Sequence, residues 1–221
     1  MPSRSDPMDF RRWEPLYEQI LEDFGFDRYD DENSVRILEA VTVNSDLRMG
    51  DDAAELLGQT VTVVGNAPCL ESDIASKGIS GTILCSGSAV GRLMSAGYKP
   101  DMIFTDLDGD IAPQIEASSM GAFTFIHAHG DNQDLIMRYA GSFKGPVVLT
   151  TQSSPSYTVF NYGGFTDGDR AVCFADHFGV KDIRLAGFDF DHPMPKDGSD
   201  PDMKLRKLQW AKRILKFLGI C

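Results

Sequence analysis

The 221-residue chain is short of cysteine, short of cations and free of long apolar runs, and each shortage narrows what it can be. Its 4 cysteines, Cys69, Cys85, Cys173 and Cys221, lie far apart with no Cys-x-x-Cys pair. Reduced thiols in a cytoplasmic protein are therefore expected, not a disulfide framework or a zinc ribbon. Lys and Arg number 21 against 33 Asp and Glu, a formal net charge of −12. Nucleic-acid backbones are held by clustered cations, so nucleic acid is not an expected partner. Apolar runs end after about five residues, far below the roughly 18 of a membrane-spanning helix. Met1 to Phe10 mix Arg, Asp and Pro without an apolar core, so no secretory signal is expected. What is present, 42% hydrophobic and 24% charged residues, suits a globular domain that buries roughly 70% of its unfolded surface. An acidic protein can still hold phosphates when a divalent cation stands between them.

Residues 1–58 read as an N-terminal helical region. Trp13, Leu16, Tyr17, Ile20, Leu21 and Phe24 recur at helical spacing before Gly25, and a second helix is expected after the acidic run Asp30, Asp31, Glu32. Residues 59–221 change pattern. Short apolar runs at Val61 to Val64, Thr82 to Cys85, Met102 to Thr105, Phe123 to Ile126, Val147 to Leu149 and Ile183 to Ala186 alternate with helical segments. The last of these runs from about Met203 to Leu218. This alternation predicts an α/β fold, a mostly parallel Rossmann-like sheet flanked by helices.

Nearly every unusual polar cluster follows a predicted strand: Gly65-Asn66-Ala67-Pro68, Ser86-Gly87-Ser88, Asp106-Leu107-Asp108-Gly109-Asp110, His127-Ala128-His129-Gly130-Asp131-Asn132, Thr150-Thr151-Gln152, and Asp189. In a parallel sheet those positions share one edge, where ligands bind. Asp106, Asp108 and Asp110 offer hard oxygen ligands suited to Mg²⁺ on substrate phosphates, with Asp131 a further carboxylate; a solvated turn is the plain alternative. An EF-hand is excluded because Ile111 and Ala117 stand where Gly and an acid are needed. An aspartyl phosphatase is the serious rival, although Asp110 replaces the hydroxyl usual after the glycine. A sugar-nucleotide transferase lacks other support. His127 and His129 suit hydrogen bonding or proton handling better than zinc, which would need further Cys or His nearby. Gly163 to Arg170 join a loop to a helix start where Gly168, Asp169 and Arg170 could meet phosphate; an ordinary N-cap is the alternative reading.

Val64 to Pro68, Pro100-Asp101, Thr105 to Asp110, His127 to Asn132, Thr151-Gln152 and Gly163 to Ala171, taken in order, resemble the archaeal 6-hydroxymethyl-7,8-dihydropterin pyrophosphokinase (MptE-like) family, itself distantly similar to thiamine pyrophosphokinases. The resemblance implies Mg²⁺-dependent pyrophosphate transfer from ATP to a reduced pterin, releasing AMP, in tetrahydromethanopterin or folate-type coenzyme synthesis. By position it implies Asp106, Asp108 and Arg170 as catalytic, and Gly65, Asn66, Gly168, Asp169 and Arg170 as the ATP and phosphate contacts. His127, His129, Asn132 and Asp167 would meet the pterin. ATP and pterin are the implied partners, with homo-oligomerisation open. Thiamine pyrophosphokinase, the phosphatase and a non-catalytic nucleotide-binding module stand as alternatives. One departure is visible: Ser86-Gly87-Ser88 stands where Asp-Gly-Ala is expected in the family.

Overall fold

The computed structural model describes residues 8–194 and 200–220; residues 1–7, where no leader was read, and Cys221 lie outside them. Two helices open the chain, α1 (Phe10–Phe24) and α2 (Arg28–Val41). The Asp9 carboxylate caps α1 by accepting from the Arg12 amide, and Gly25 ends it at φ 68°, a left-handed conformation that glycine adopts without a Cβ penalty. Asp27 caps α2, so the acidic run expected to precede this helix instead lies inside it, and Asp31 is buried.

A two-residue strand β1 (Asp46–Leu47) and the short α3 (Gly50–Ala54) lead to the alternating region. There follow β2 (Thr60–Val64), α4 (Leu70–Lys77), β3 (Thr82–Ser86), α5 (Val90–Ser95), β4 (Met102–Thr105), α6 (Ile111–Ser119), β5 (Phe123–Ala128), α7 (Gln133–Tyr139), β6 (Pro146–Thr151), β7 (Val159–Phe160), α8 (Asp167–His177), β8 (Asp182–Ala186) and α9 (Pro201–Phe217). The sheet order is β1-β6-β5-β4-β3-β2-β8, with β7 beside β6, and every pairing is parallel. The chain steps from β2 outward to β6, then returns to place β8 on the opposite flank of β2. The switch point between β2 and β8 is where parallel sheets open a crevice.

Alternation along the strands assigns the two faces. Val61 and Val63 join Phe104, Phe125, Phe174 and Ile214 in one core with Trp13, Tyr17 and Ile20 of α1. Val64, Cys85 and Ile103 pack on the other face with Leu70 and Leu93. Both faces are covered, which is why the strands read as short continuous apolar runs. Beside them, α2 and α7 cover Ile126, Val147 and Leu149. Cys69, Cys85 and Cys173 are free thiols. Among the described residues no helix is long and apolar enough to cross a membrane.

Candidate active site

The C-terminal edge of the sheet opens into a cleft of about 540 Å³. Its most unusual backbone lies just beyond β4. Thr105 accepts the Leu107 amide on its hydroxyl at 2.8 Å, and Leu107 takes φ 67°. A leucine pays roughly 1 to 2 kcal/mol for a left-handed conformation. Burial of the Leu107 side chain among Ile126, Leu149 and Ile136 holds it there. This reversal lets both Asp106 and Asp108 line the cleft while the residue between them faces the core. Asp106 Oδ1 accepts the Asp108 amide at 3.1 Å, and Asp108 Oδ1 accepts the Gly109 amide at 2.8 Å. Asp110 also lines the cleft, and its carboxylate caps α6 through the Ala112 amide.

His129 Nε2 lies 3.5 Å from Asp106 Oδ2, and its Nδ1 accepts the Asp131 amide, which places the ring proton on Nε2, facing Asp106. Burial opposes charge on Asp106, but the His129 ring and the Arg170 guanidinium outweigh it and hold that carboxyl well below the usual range. Asn132 does not line the cleft. Its amide donates to the carbonyls of Asp106 and His127 and accepts the His129 amide, bracing two site loops from behind. His127 is also withdrawn: Nδ1 lies 3.1 Å from the Thr150 hydroxyl, and burial, Arg170 and His129 push the ring well below the usual imidazole range, leaving it neutral. Asp131 is exposed and outside the cleft lining.

The helix expected near Arg170 starts at Asp167, where Thr166 and Asp169 form a capping box. Asp169 is buried, accepting the Phe165 and Thr166 amides at 2.6 and 2.8 Å, and it turns away from the cleft. Asp167, Gly168 and Arg170 remain on the lining. Arg170 donates to Asp167 Oδ1 at 3.1 Å and to the Phe165 carbonyl at 2.7 Å. Burial and the neighbouring Asp106 charge push the Asp167 carboxyl well above its usual value despite Arg170.

On the β2/β8 side, Gly65 and Gly187 cross closely; a Cβ on Gly65 would stand 2.6 Å from the Gly187 carbonyl oxygen. The Phe188 ring closes over Gly65 and Gly168. Asn66 is gripped by Arg92, whose Nη1 donates to the Asn66 amide oxygen at 2.7 Å and to the Ala67 carbonyl at 3.0 Å, while Glu71 pairs with the same guanidinium. Lys204 and Lys207 of α9 line the opposite wall with Phe26, Phe165 and Phe190. Arg92 and the aromatic wall escaped the sequence reading: an Arg inside a short helix and scattered Phe residues carry no local pattern. Ser86, at the departure from Asp-Gly-Ala, lines the cleft with its hydroxyl buried and unpartnered among the described residues. Among those residues no three His, Cys, Asp or Glu side chains form a metal cage by themselves.

Comparison with known proteins gives the family. The family described as 6-hydroxymethylpterin diphosphokinase MptE-like matches residues 38–194. A 6-hydroxymethyl-7,8-dihydropterin pyrophosphokinase of Methanothermobacter thermautotrophicus is 36% identical over 224 residues, covering 96% of this chain and 95% of its own. That of Pyrococcus furiosus is 34% identical, covering 96% and 94%. That of Methanocaldococcus jannaschii is 31% identical, covering 96% of both. With near-complete coverage at such identity, the chain belongs to the MptE-like 6-hydroxymethylpterin diphosphokinase family of enzymes.

Proposed function

We propose that the protein transfers the terminal diphosphate of ATP to the hydroxymethyl oxygen of 6-hydroxymethyl-7,8-dihydropterin and releases AMP, serving reduced-pterin coenzyme synthesis. The observation that carries the reading is the Asp106-Leu107-Asp108 reversal, which turns two acids into a cleft that also holds a helix N-terminus and two lysines. The relatives named as 6-hydroxymethyl-7,8-dihydropterin pyrophosphokinases support pyrophosphate transfer to the pterin.

In this reading the substrate oxygen attacks Pβ, the bond from Pβ to the bridging oxygen breaks, and AMP departs in line carrying that oxygen. Such a loose transition state asks for positioning and charge stabilisation; no strong protein base is needed, and the hydroxyl proton passes to solvent water as the new P–O bond forms. Asp106 and Asp108 are the residues that would hold Mg²⁺. The fit rests on an Asp106 carboxyl kept ionised in the fold and on a donor set of hard oxygens. Two carboxylates can be enough for this ion, which keeps waters and takes phosphate oxygens as ligands. When bound, Mg²⁺ would neutralise phosphate charge. The α8 N-terminus at Gly168, with Arg170 behind it, favours anions at the same place, and Lys204 and Lys207 reach the lining from above. Gly65, bare of a Cβ, lets the Gly187 carbonyl and the Phe188 ring close against the β2 rim of the cleft. His129 Nε2 is placed to donate to an oxygen bound next to Asp106.

The test is product analysis with Mg-ATP and the reduced hydroxymethyl pterin. AMP and the pterin diphosphate in equal amounts are expected. ADP or free phosphate as the main product would reject the reaction, thiamine as the better acceptor would reassign it, and hydrolysis of phosphate esters without ATP would favour the aspartyl phosphatase.

A further inference from the structure

Gln152, just beyond β6, presents an acceptor for which the described residues supply no donor. The residue is 3% exposed and borders the cleft, and its Oε1 is buried without a hydrogen-bond partner among the described residues. Such an acceptor is costly to leave unmade. Its orientation is fixed from behind. Gln152 Nε2 donates to Asp31 Oδ2 at 2.9 Å, and the same oxygen accepts the Tyr17 hydroxyl at 2.5 Å, while Asp31 Oδ1 accepts the Gly130 amide at 2.7 Å. A carboxylate occupied by three donors leaves the amide NH₂ facing Asp31 and the amide oxygen facing away. The Trp13 indole also donates to the Gln152 carbonyl at 2.8 Å, so both opening helices hold this residue.

The side of the cleft indicates the ligand. Gln152 leaves β6, two strands beyond β4, whereas Gly65 and Gly187 leave β2 and β8 on the other flank of Asp106. In-line transfer puts nucleophile and leaving group on opposite sides of the phosphorus. With the nucleotide phosphates near the β2/β8 crevice, the acceptor alcohol belongs on the β5/β6 side.

We propose that Gln152 Oε1 accepts a hydrogen bond from a ring N–H or amino group of the heterocyclic acceptor substrate, and that Asp31 is the positioning residue that keeps this oxygen turned toward it. This rests on the transfer reaction proposed above and adds a specificity contact supplied through the N-terminal helices.

Fluorescence titration of the full chain with 6-hydroxymethyl-7,8-dihydropterin, in the presence of Mg²⁺ and α,β-methylene ATP, reads the contact separately from turnover. Gln152→Met, close in shape but without the acceptor, should weaken pterin binding about tenfold or more and leave the nucleotide analogue's Kd within about twofold. Asp31→Asn should act in the same direction, because an amide at position 31 permits Gln152 to turn over. The exchanged pair Asp31→Asn with Gln152→Glu presents a carboxylate oxygen to the ligand and an NH₂ to hold it, and should recover binding relative to Asp31→Asn alone. A merely structural role would show no recovery and would lower both affinities together. Unchanged pterin affinity in Gln152→Met overturns the contact even if turnover stands. Absence of AMP from the unaltered protein, with pterin bound and lost on substitution, overturns the reaction and keeps the contact. Absence of pterin binding by the unaltered protein overturns both. Should Gln152→Met fail to fold, the comparison of Asp31→Asn with the exchanged pair decides.

Discussion

Asp106 and Asp167 meet across one cleft in opposite protonation tendencies: Asp106 is held low by His129 and Arg170, and its charge, added to burial, drives Asp167 high. The sign of each contribution follows. Asp106 stabilises the fold above its unfolded pKa and loses that contribution as pH falls through the lower folded value. Asp167 contributes below its unfolded pKa and loses that contribution as pH rises through the raised folded value. Asp167→Asn should therefore gain about 1 kcal/mol in the metal-free protein at pH 8 and flatten the alkaline side of a melting profile. A melting temperature that falls in parallel with the parent over that range would contradict the assignment.

Asp108→Asn removes one negative charge from the proposed metal-bound phosphate site at constant size. Turnover should fall about a hundredfold, near 3 kcal/mol, with the fold retained. Kinetics over a Mg²⁺ titration check this, and wild-type turnover with unaltered Mg²⁺ dependence would remove Asp108 from the mechanism. Asp106→Asn should cost activity at least as severely. It should not stabilise the apo chain, since the Asp106 carboxylate gains more from the His129 ring and the Arg170 guanidinium than it loses to burial.

Leu107→Gly relieves the φ 67° backbone and deletes a buried side chain. The second effect is larger, about 3 kcal/mol against roughly 1. A net loss near 2 kcal/mol is expected in denaturant unfolding, together with reduced kcat as the two acids lose their fixed spacing. Equal or greater stability would show that the core does not hold the reversal.

Gly65→Ala and Gly168→Ala place a new methyl against different neighbours. At Gly65 it meets the Gly187 carbonyl oxygen at 2.6 Å, backbone that must move; at Gly168 it meets the edge of the Phe188 ring at 2.9 Å, which can swing. Gly65→Ala should cost about 2 kcal/mol and raise KM for ATP, whereas Gly168→Ala should be milder in stability. Melting temperatures and ATP saturation curves for the pair give the comparison.

Removing residues before Thr60 should produce aggregation or a marked fall in stability. Trp13, Leu16, Tyr17 and Ile20 share their core with Val61, Phe174 and Ile214, and truncation would leave that apolar face bare. A soluble truncation melting like the parent would overturn this.

The strand pattern was legible because both sheet faces are buried, and Met102–Thr105 matches its expected run residue for residue. The two-residue strands β1 and β7 were not, since such lengths carry no periodicity. At the site, position after a strand located Asp106, Asp108, His129 and Gly65 at the cleft. Position did not reveal that His127, Asn132 and Asp169 turn away to satisfy loop amides, carbonyls or a hydroxyl, because side-chain direction beyond a strand end depends on local hydrogen bonds. Asp31 belongs to the acidic run Asp30, Asp31, Glu32, whose local pattern signals only a nearby helix start. Its burial comes from partners 14 and 121 residues away, a relationship no local window contains.

The grip of Arg92 on Asn66, Ala67 and Glu71 bears on the thermodynamics of ligand capture. A loop already immobilised in the empty protein has little conformational entropy left to surrender when a ligand arrives. The β2 rim thus behaves as a rigid template, and loosening it by Arg92→Ala should appear in calorimetry as a larger entropic penalty for nucleotide association, even though Arg92 itself is not among the residues bordering the cleft.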